Sequence, residues 1–157
     1  MKQLTPDQMI YGCSIGTLRF TESKKKNLTD RLNSGGGDCH GLFLSQVGSC
    51  GEYAFCLIHG MPWPASVNSF DGAPDAPPDW EIRTTEYSEG KLILRKRDNP
   101  TRRFALMTCD FPRGIFTYRG WMHGVDMKQK PWFVPGSKEQ KKEPCYMVPQ
   151  GYLKNET

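Results

Sequence analysis

No apolar run in this 157-residue chain approaches the roughly 20 residues that a bilayer span requires, so no transmembrane helix is expected. The six cysteines include no C-x-x-C pair, which removes a thioredoxin-type motif and a zinc ribbon. Gly35-Gly36-Gly37 is not followed by G-K-[ST], so a P-loop is not supported. The first residues carry one Lys and a short apolar patch without a small-residue cleavage site, so no secretory signal is read. A cytoplasmic location follows as the expectation, with the cysteines as free thiols. Histidine is scarce, at three, and residue order supports no Ser-His-Asp or Cys-His pairing. Gly12-Cys13-Ser14-Ile15-Gly16 matches G-x-S-x-G only by letters, because no strand precedes it. The irregular spacing of Cys39, His40, Cys50, Cys56 and His59 is a poor match to zinc ligation.

What is present is a soluble globular composition, with 37% hydrophobic and 24% charged residues. The net charge of +4 is unevenly placed. Residues 1–78 hold 6 basic and 7 acidic side chains, whereas residues 91–119 hold 8 and 2. Such clustering marks a surface for a polyanion. Lys91, Arg95, Lys96, Arg97, Arg102 and Arg103 are the expected nucleic-acid contacts, with DNA as the expected partner and phosphate rather than base as the group touched.

Thr5-Pro6-Asp7 is a helix start, and apolar residues at 9, 10, 13, 17 and 20 predict an amphipathic helix reaching Lys26. Residues 33–38 read as a break, and 41–59 as a second helix whose Gly48, Ser49 and Gly51 invite close approach by another element. The segment 61–79, dense in Pro, Gly, Ser and Asp, is expected to be an ordered loop anchored by Trp63 and Phe70. Alternating runs at 80–85, 91–95, 103–109 and 114–124 predict strands in an antiparallel meander. Residues 132–134 and 146–148 are expected as short edge strands, and Tyr118 and Trp121 as core side chains.

Glu52 in the second helix, Asp75 in the loop and Glu81 on the first long strand form the strongest chemical constellation. Strand alternation puts Glu81 and Arg83 on one face and Trp80 and Ile82 on the other. Carboxylates converging from separate elements suit a hard divalent cation such as Mg²⁺ or Mn²⁺. A neighbouring cation suits the charge that develops on a phosphodiester under attack.

The pattern Gly51-Glu52, Trp63, Ser66-Val67-Asn68, Pro74-Asp75, Glu81-Ile82-Arg83, Leu94-Arg95, Asp98 and Gly120-Trp121 resembles small phage and prophage proteins. Those proteins in turn resemble the PD-(D/E)XK nuclease superfamily. The resemblance covers roughly residues 40–153 and implies an α/β (α+β) fold: a single restriction-endonuclease-like domain over residues 1–157. Its parts would be N-terminal helices (1–60), an acidic loop (61–79), and a mixed or antiparallel sheet with C-terminal pieces (80–157). It implies Asp75 and Glu81 as metal ligands, Glu52 as the acid from the preceding helix, and divalent-metal-dependent hydrolysis of DNA. Two departures stand out. Arg83 occupies the Lys position and cannot serve as a deprotonated base. Only five residues separate Asp75 from Glu81, which leaves Asp79 as an alternative ligand. A catalytically inactive module that binds nucleic acid or a host protein on the same fold is therefore the alternative function. A homodimer would suit the cutting of two strands.

Overall fold

The computed structural model describes residues 1–26, 37–67, 72–137, 139 and 142–155. The chain runs β1 (Lys2–Gln3), α1 (Pro6–Lys25), α2 (Gly37–His59), β2 (Trp80–Thr85), β3 (Leu92–Arg95), β4 (Arg103–Asp110), β5 (Ile115–His123), α3 (Gly124–Met127), β6 (Phe133–Val134) and β7 (Cys145–Val148). This is an α+β protein with N-terminal helices followed by strands. Among the described residues no helix is long and apolar enough to cross a membrane.

The start of α1 is fixed locally. Thr5 accepts from the Gln8 backbone N–H at 3.3 Å while the Gln8 side chain accepts from the Thr5 N–H at 2.9 Å, and Pro6 opens the first turn. Its packing face differs from the expected apolar stripe, for Ile10 is 65% exposed and the buried residues are Gly12 and Gly16. The two helices meet backbone to backbone. A Cβ at Gly16 would lie 2.6 Å from the Ser45 carbonyl oxygen and 2.7 Å from the Gln46 Cα. α2 begins four residues before the expected position, so Gly37 and Asp38 belong to its first turn rather than to the break; residues 33–36 lie outside the described residues. Gly51 does admit another element, since a Cβ there would meet the Thr84 Oγ1 of β2 at 1.9 Å.

The expected meander is corrected by the pairing. A four-stranded sheet has the order β1-β5-β4-β2, with β2 parallel to β4 and the other pairs antiparallel. Parallel neighbours need a long crossover, and residues 86–102 supply it. That crossover carries β3 into a second sheet of order β3-β7-β6, so β7 is a central strand there rather than an edge.

β4 is buried on both faces. Ala105, Met107 and Cys109 join α2, Trp80, Ile82 and Phe116 in one apolar cluster. Phe104 and Leu106 point the other way, to Leu92, Leu94, Met122 and Val148. Tyr118 packs edge-on to Phe55 and His59, and Trp121 against Trp80, as the core reading expects. The six cysteines are free thiols, with Cys13 and Cys50 Sγ atoms 3.7 Å apart between the helices.

Because backbone atoms fill the space beside Gly16, no side-chain rotation can relieve a substitution there. Gly16→Ala should destabilise the protein by about 1–3 kcal/mol despite the ~1 kcal/mol helix-propensity gain. Urea denaturation measures it, and an unchanged midpoint would refute the close helix contact.

Candidate functional site

β2 is an edge strand of its sheet, and its alternation operates as the sequence indicates: Trp80 and Ile82 enter the core while Glu81 and Arg83 face away from it. The segment before it folds back as a tight turn. Asp75 and Ala76 backbone N–H groups donate to the Trp80 carbonyl at 2.9 and 3.3 Å, and the Trp80 N–H donates to the Ala76 carbonyl at 2.9 Å. The short separation between Asp75 and Glu81 thus brings them together. Asp75 Oδ2 accepts the Ile82 backbone N–H at 2.8 Å, so its carboxylate lies along the free edge of β2.

Glu52 comes from α2, where it is 6% exposed in the face turned to this edge. Glu52, Asp75 and Glu81 all line one cavity of about 640 Å³, together with Arg19, Arg83, Arg95, Arg97, Asp98 and Arg102. Each acid is engaged. Arg19 Nη1 donates to Glu52 Oε1 at 2.6 Å and the Trp63 indole N–H to Oε2 at 3.3 Å. Arg102 donates to Glu81 Oε1 and to the Gly72 carbonyl. Arg83 lies 3.6 Å from Glu81 Oε2 and pairs with Asp98 at 2.9 Å.

Asp79, the alternative ligand, is not in this cavity wall. Its carboxylate takes two donors from Arg103, whose guanidinium also stacks 4.2 Å from the Trp80 ring centre. Arg103 is therefore tied to the start of the sheet. Lys96 is exposed, Arg97 pairs with Glu143 at 3.4 Å, and Lys91 borders a neighbouring cavity. Arg95 differs from the other cavity arginines: the Asp98 charge acts on it, but among the described residues its guanidinium has no carboxylate within ion-pair distance. Burial, reinforced by the Arg83 charge, lowers its pKa, so an anion placed beside it would be strongly favoured.

Arg19 and Asp98 were not assigned roles in the sequence. Arg19 follows Gly12 and Gly16 at four- and three-residue steps, which places it on the helix-facing side of α1. It also donates to the Ser66 carbonyl at 2.7 Å, tying the loop after α2 to both helices. Asp98 closes the turn after β3, accepting the Arg95 backbone N–H at 2.8 Å while it holds Arg83. An Asp three residues beyond Arg95 in a D-N-P-T turn is the available signal. Of the expected anchors Trp63 stacks on Tyr53 at 4.8 Å, and Phe70 lies outside the described residues, as does Asn68.

Burial and the Glu52 charge push the Asp75 carboxyl up to about 7. Burial and Asp75 likewise raise Glu81. An all-oxygen donor set of this kind suits a hard cation, and Mg²⁺ is commonly held by only one or two carboxylates plus waters and substrate phosphate. Asp75 and Glu81 match that role in donor type and line the same cavity, with Arg102 bonded to Glu81 Oε1 and Arg83 3.6 Å from its Oε2. No cluster of three or more His, Cys, Asp or Glu side chains is arranged to hold a metal ion among the described residues, consistent with both Glu52 oxygens being bonded to Arg19 and Trp63. Comparison with known protein families, with curated proteins and with solved structures finds no match to this chain.

The raised Asp75 pKa has a defined effect on stability. Between the ordinary carboxyl value of 3.8 and about 7, the folded chain holds a proton that the unfolded chain has released. Stability from this group is present below about pH 4 and is lost as the pH rises through about 7. Glu81 acts in the same direction, whereas His59, whose pKa is lowered by burial, acts in the opposite one. Asp75→Asn removes the Asp75 contribution, so the variant's stability relative to wild type should climb across this range. Melting temperatures of both proteins at several pH values measure the difference; a constant difference would refute the buried, repelled carboxyl.

Proposed function

We propose that this cavity is a divalent-metal-dependent phosphodiester-hydrolysing site acting on DNA, in the manner of the PD-(D/E)XK nucleases that the sequence resembles. The observation that carries it is the convergence of acids from α2, the 72–79 segment and β2 on one cavity that also contains an arginine without an ion-pair partner. Asp75 and Glu81 would hold Mg²⁺ or Mn²⁺, and the cation would supply Lewis acidity and an activated water.

The chain's own residues have distinct tasks in this reading. Arg95 takes the phosphate, and Arg97 and Lys96 extend the positive surface along the strand backbone. Arg83, fixed by Asp98, presents planar donors to the charge that builds on the phosphate oxygens and transfers no proton. Glu52 orients Arg19 and Trp63, and so acts as a positioning residue.

A second reading rests on Arg83 and on the bond between Arg102 and Glu81. A site whose acids are neutralised by arginines binds a polyanion without cutting it, and the chain is then a nucleic-acid-binding module. One experiment separates the two. Plasmid and single-stranded DNA are incubated with wild type, Asp75→Asn and Glu81→Gln in Mg²⁺ or Mn²⁺. Cutting by wild type that falls about 100-fold or more in both variants supports hydrolysis. Retained salt-sensitive binding with no cutting by wild type supports the module.

A further inference from the structure

A second cavity, of about 670 Å³, lies between α2, β2, β3 and β7. Its size falls within the ~300–1,000 Å³ usual for small-ligand pockets. It shares Gly48, Arg83 and Arg95 with the acid-lined cavity, so the two are neighbours across one wall. Leu44, Val47 and Met147 give it apolar sides, and Tyr87, 80% exposed, stands at its border.

Gly48 is the first clue to its use. Glycine is the poorest helix former after proline, and α2 retains it in its interior. Gly51 is required by Thr84, and a Cβ at Gly41 would press on Phe20 at 3.1 Å, yet a Cβ at Gly48 would meet nothing within 4 Å. Internal packing therefore does not account for Gly48. Its bare Cα leaves room at the junction of the two cavities.

The wall of the second cavity also holds an unmatched polar group. Arg83 Nε is buried with no hydrogen-bond partner in the protein and Arg83 lines this space, whereas the Thr84 hydroxyl, on the opposite face of β2, packs against Gly51. Buried donors are rarely left unmatched. A flat apolar ligand with hydrogen-bonding edges would answer both features.

We propose that the second cavity receives one unstacked nucleobase, while the phosphate of the same nucleotide rests on Arg95 in the acid-lined cavity and the sugar passes over Gly48. This rests on the reading of the first cavity as a phosphodiester site, and it deepens that reading: the substrate is a single-stranded or unpaired nucleotide. A paired base would first have to leave its stack. The apolar sides give sequence-tolerant contact with the base face. Arg83 Nε–H addresses its edge as a donor.

The test is fluorescence anisotropy in EDTA with a labelled single-stranded oligonucleotide, the same strand made abasic throughout, and its duplex. Wild type should bind the intact strand about 10-fold more tightly than the abasic one, and more tightly than the duplex. Gly48→Leu should remove most of that difference, weakening the intact strand far more than the abasic one. Gly48→Ala should raise the melting temperature, since it adds a better helix former into open space, and a folded Gly48→Leu is verified by the same measurement. Arg95→Ala should weaken intact and abasic strands alike and flatten the salt dependence. Equal binding of intact and abasic strands, with affinity still dependent on Arg95, overturns the base cavity alone. Failure of wild type to bind any strand overturns both the base cavity and the phosphodiester reading. If Gly48→Leu does not fold, the intact-to-abasic ratio for wild type decides the matter.

Discussion

Carboxylates placed at the margin of an apolar core must be matched by positive charge or bonded to backbone N–H groups, because an unmatched buried charge is too costly to keep. That requirement organises this protein. Glu52 draws Arg19 from the preceding helix, Glu81 draws Arg102 from the end of the crossover, and Asp75 takes the Ile82 N–H. The two arginine bonds join segments distant in sequence, and the third closes the local turn before β2. The ion pairs that neutralise the cavity are thus the same contacts that fix α1 on α2 and the turn after β3 on β2. Arg95 is the exception, a half-buried cation influenced by the Asp98 charge but not ion-paired to a carboxylate among the described residues.

The sheet explains how such a polar cavity coexists with a well-packed interior. β4 has apolar side chains on both faces and gives the two clusters a common wall. Chemistry cannot be placed on a strand of that kind without breaking the packing. β2 is beside it but at the sheet's edge, with Trp80 and Ile82 packed under α2 in the core and Glu81 and Arg83 on the other face, where Arg83 meets Asp98 of the turn after β3. The acids therefore sit where a rigid support meets open space, which favours a precisely held site.

Much of this was legible in the chain. The capping pattern at Thr5, the two helices, the strands at 80–85 and 103–110 and the opposite facing of Ile82 and Glu81 all follow from local periodicity and capping chemistry. The sheet order was not, because alternation marks a strand without naming its neighbour. Leu92–Arg95 reads as the next strand of a meander, yet its partner is Cys145–Val148, some fifty residues later. Among the site residues, Glu52, Asp75, Glu81 and Arg83 share a cavity as their types indicated, and of the six expected basic contacts Arg95, Arg97 and Arg102 line it while Lys91, Lys96 and Arg103 do not. Arg103 looks equivalent to Arg102 in sequence; one residue of strand register sends it to Asp79 and Trp80 instead. Arg19 escaped notice and Asp98 was named without a role, because both hold other side chains, and such a role leaves little trace without the third dimension.

The hydrogen bond from Ile82 to Asp75 has one more consequence. An outermost strand ordinarily exposes a row of backbone donors and acceptors that can template the addition of a foreign strand. Here the Ile82 donor is consumed by a side chain and the Trp80 carbonyl by the folded-back turn. The chain thus occupies part of its own strand margin against β-pairing with the same carboxylate that lines the cavity.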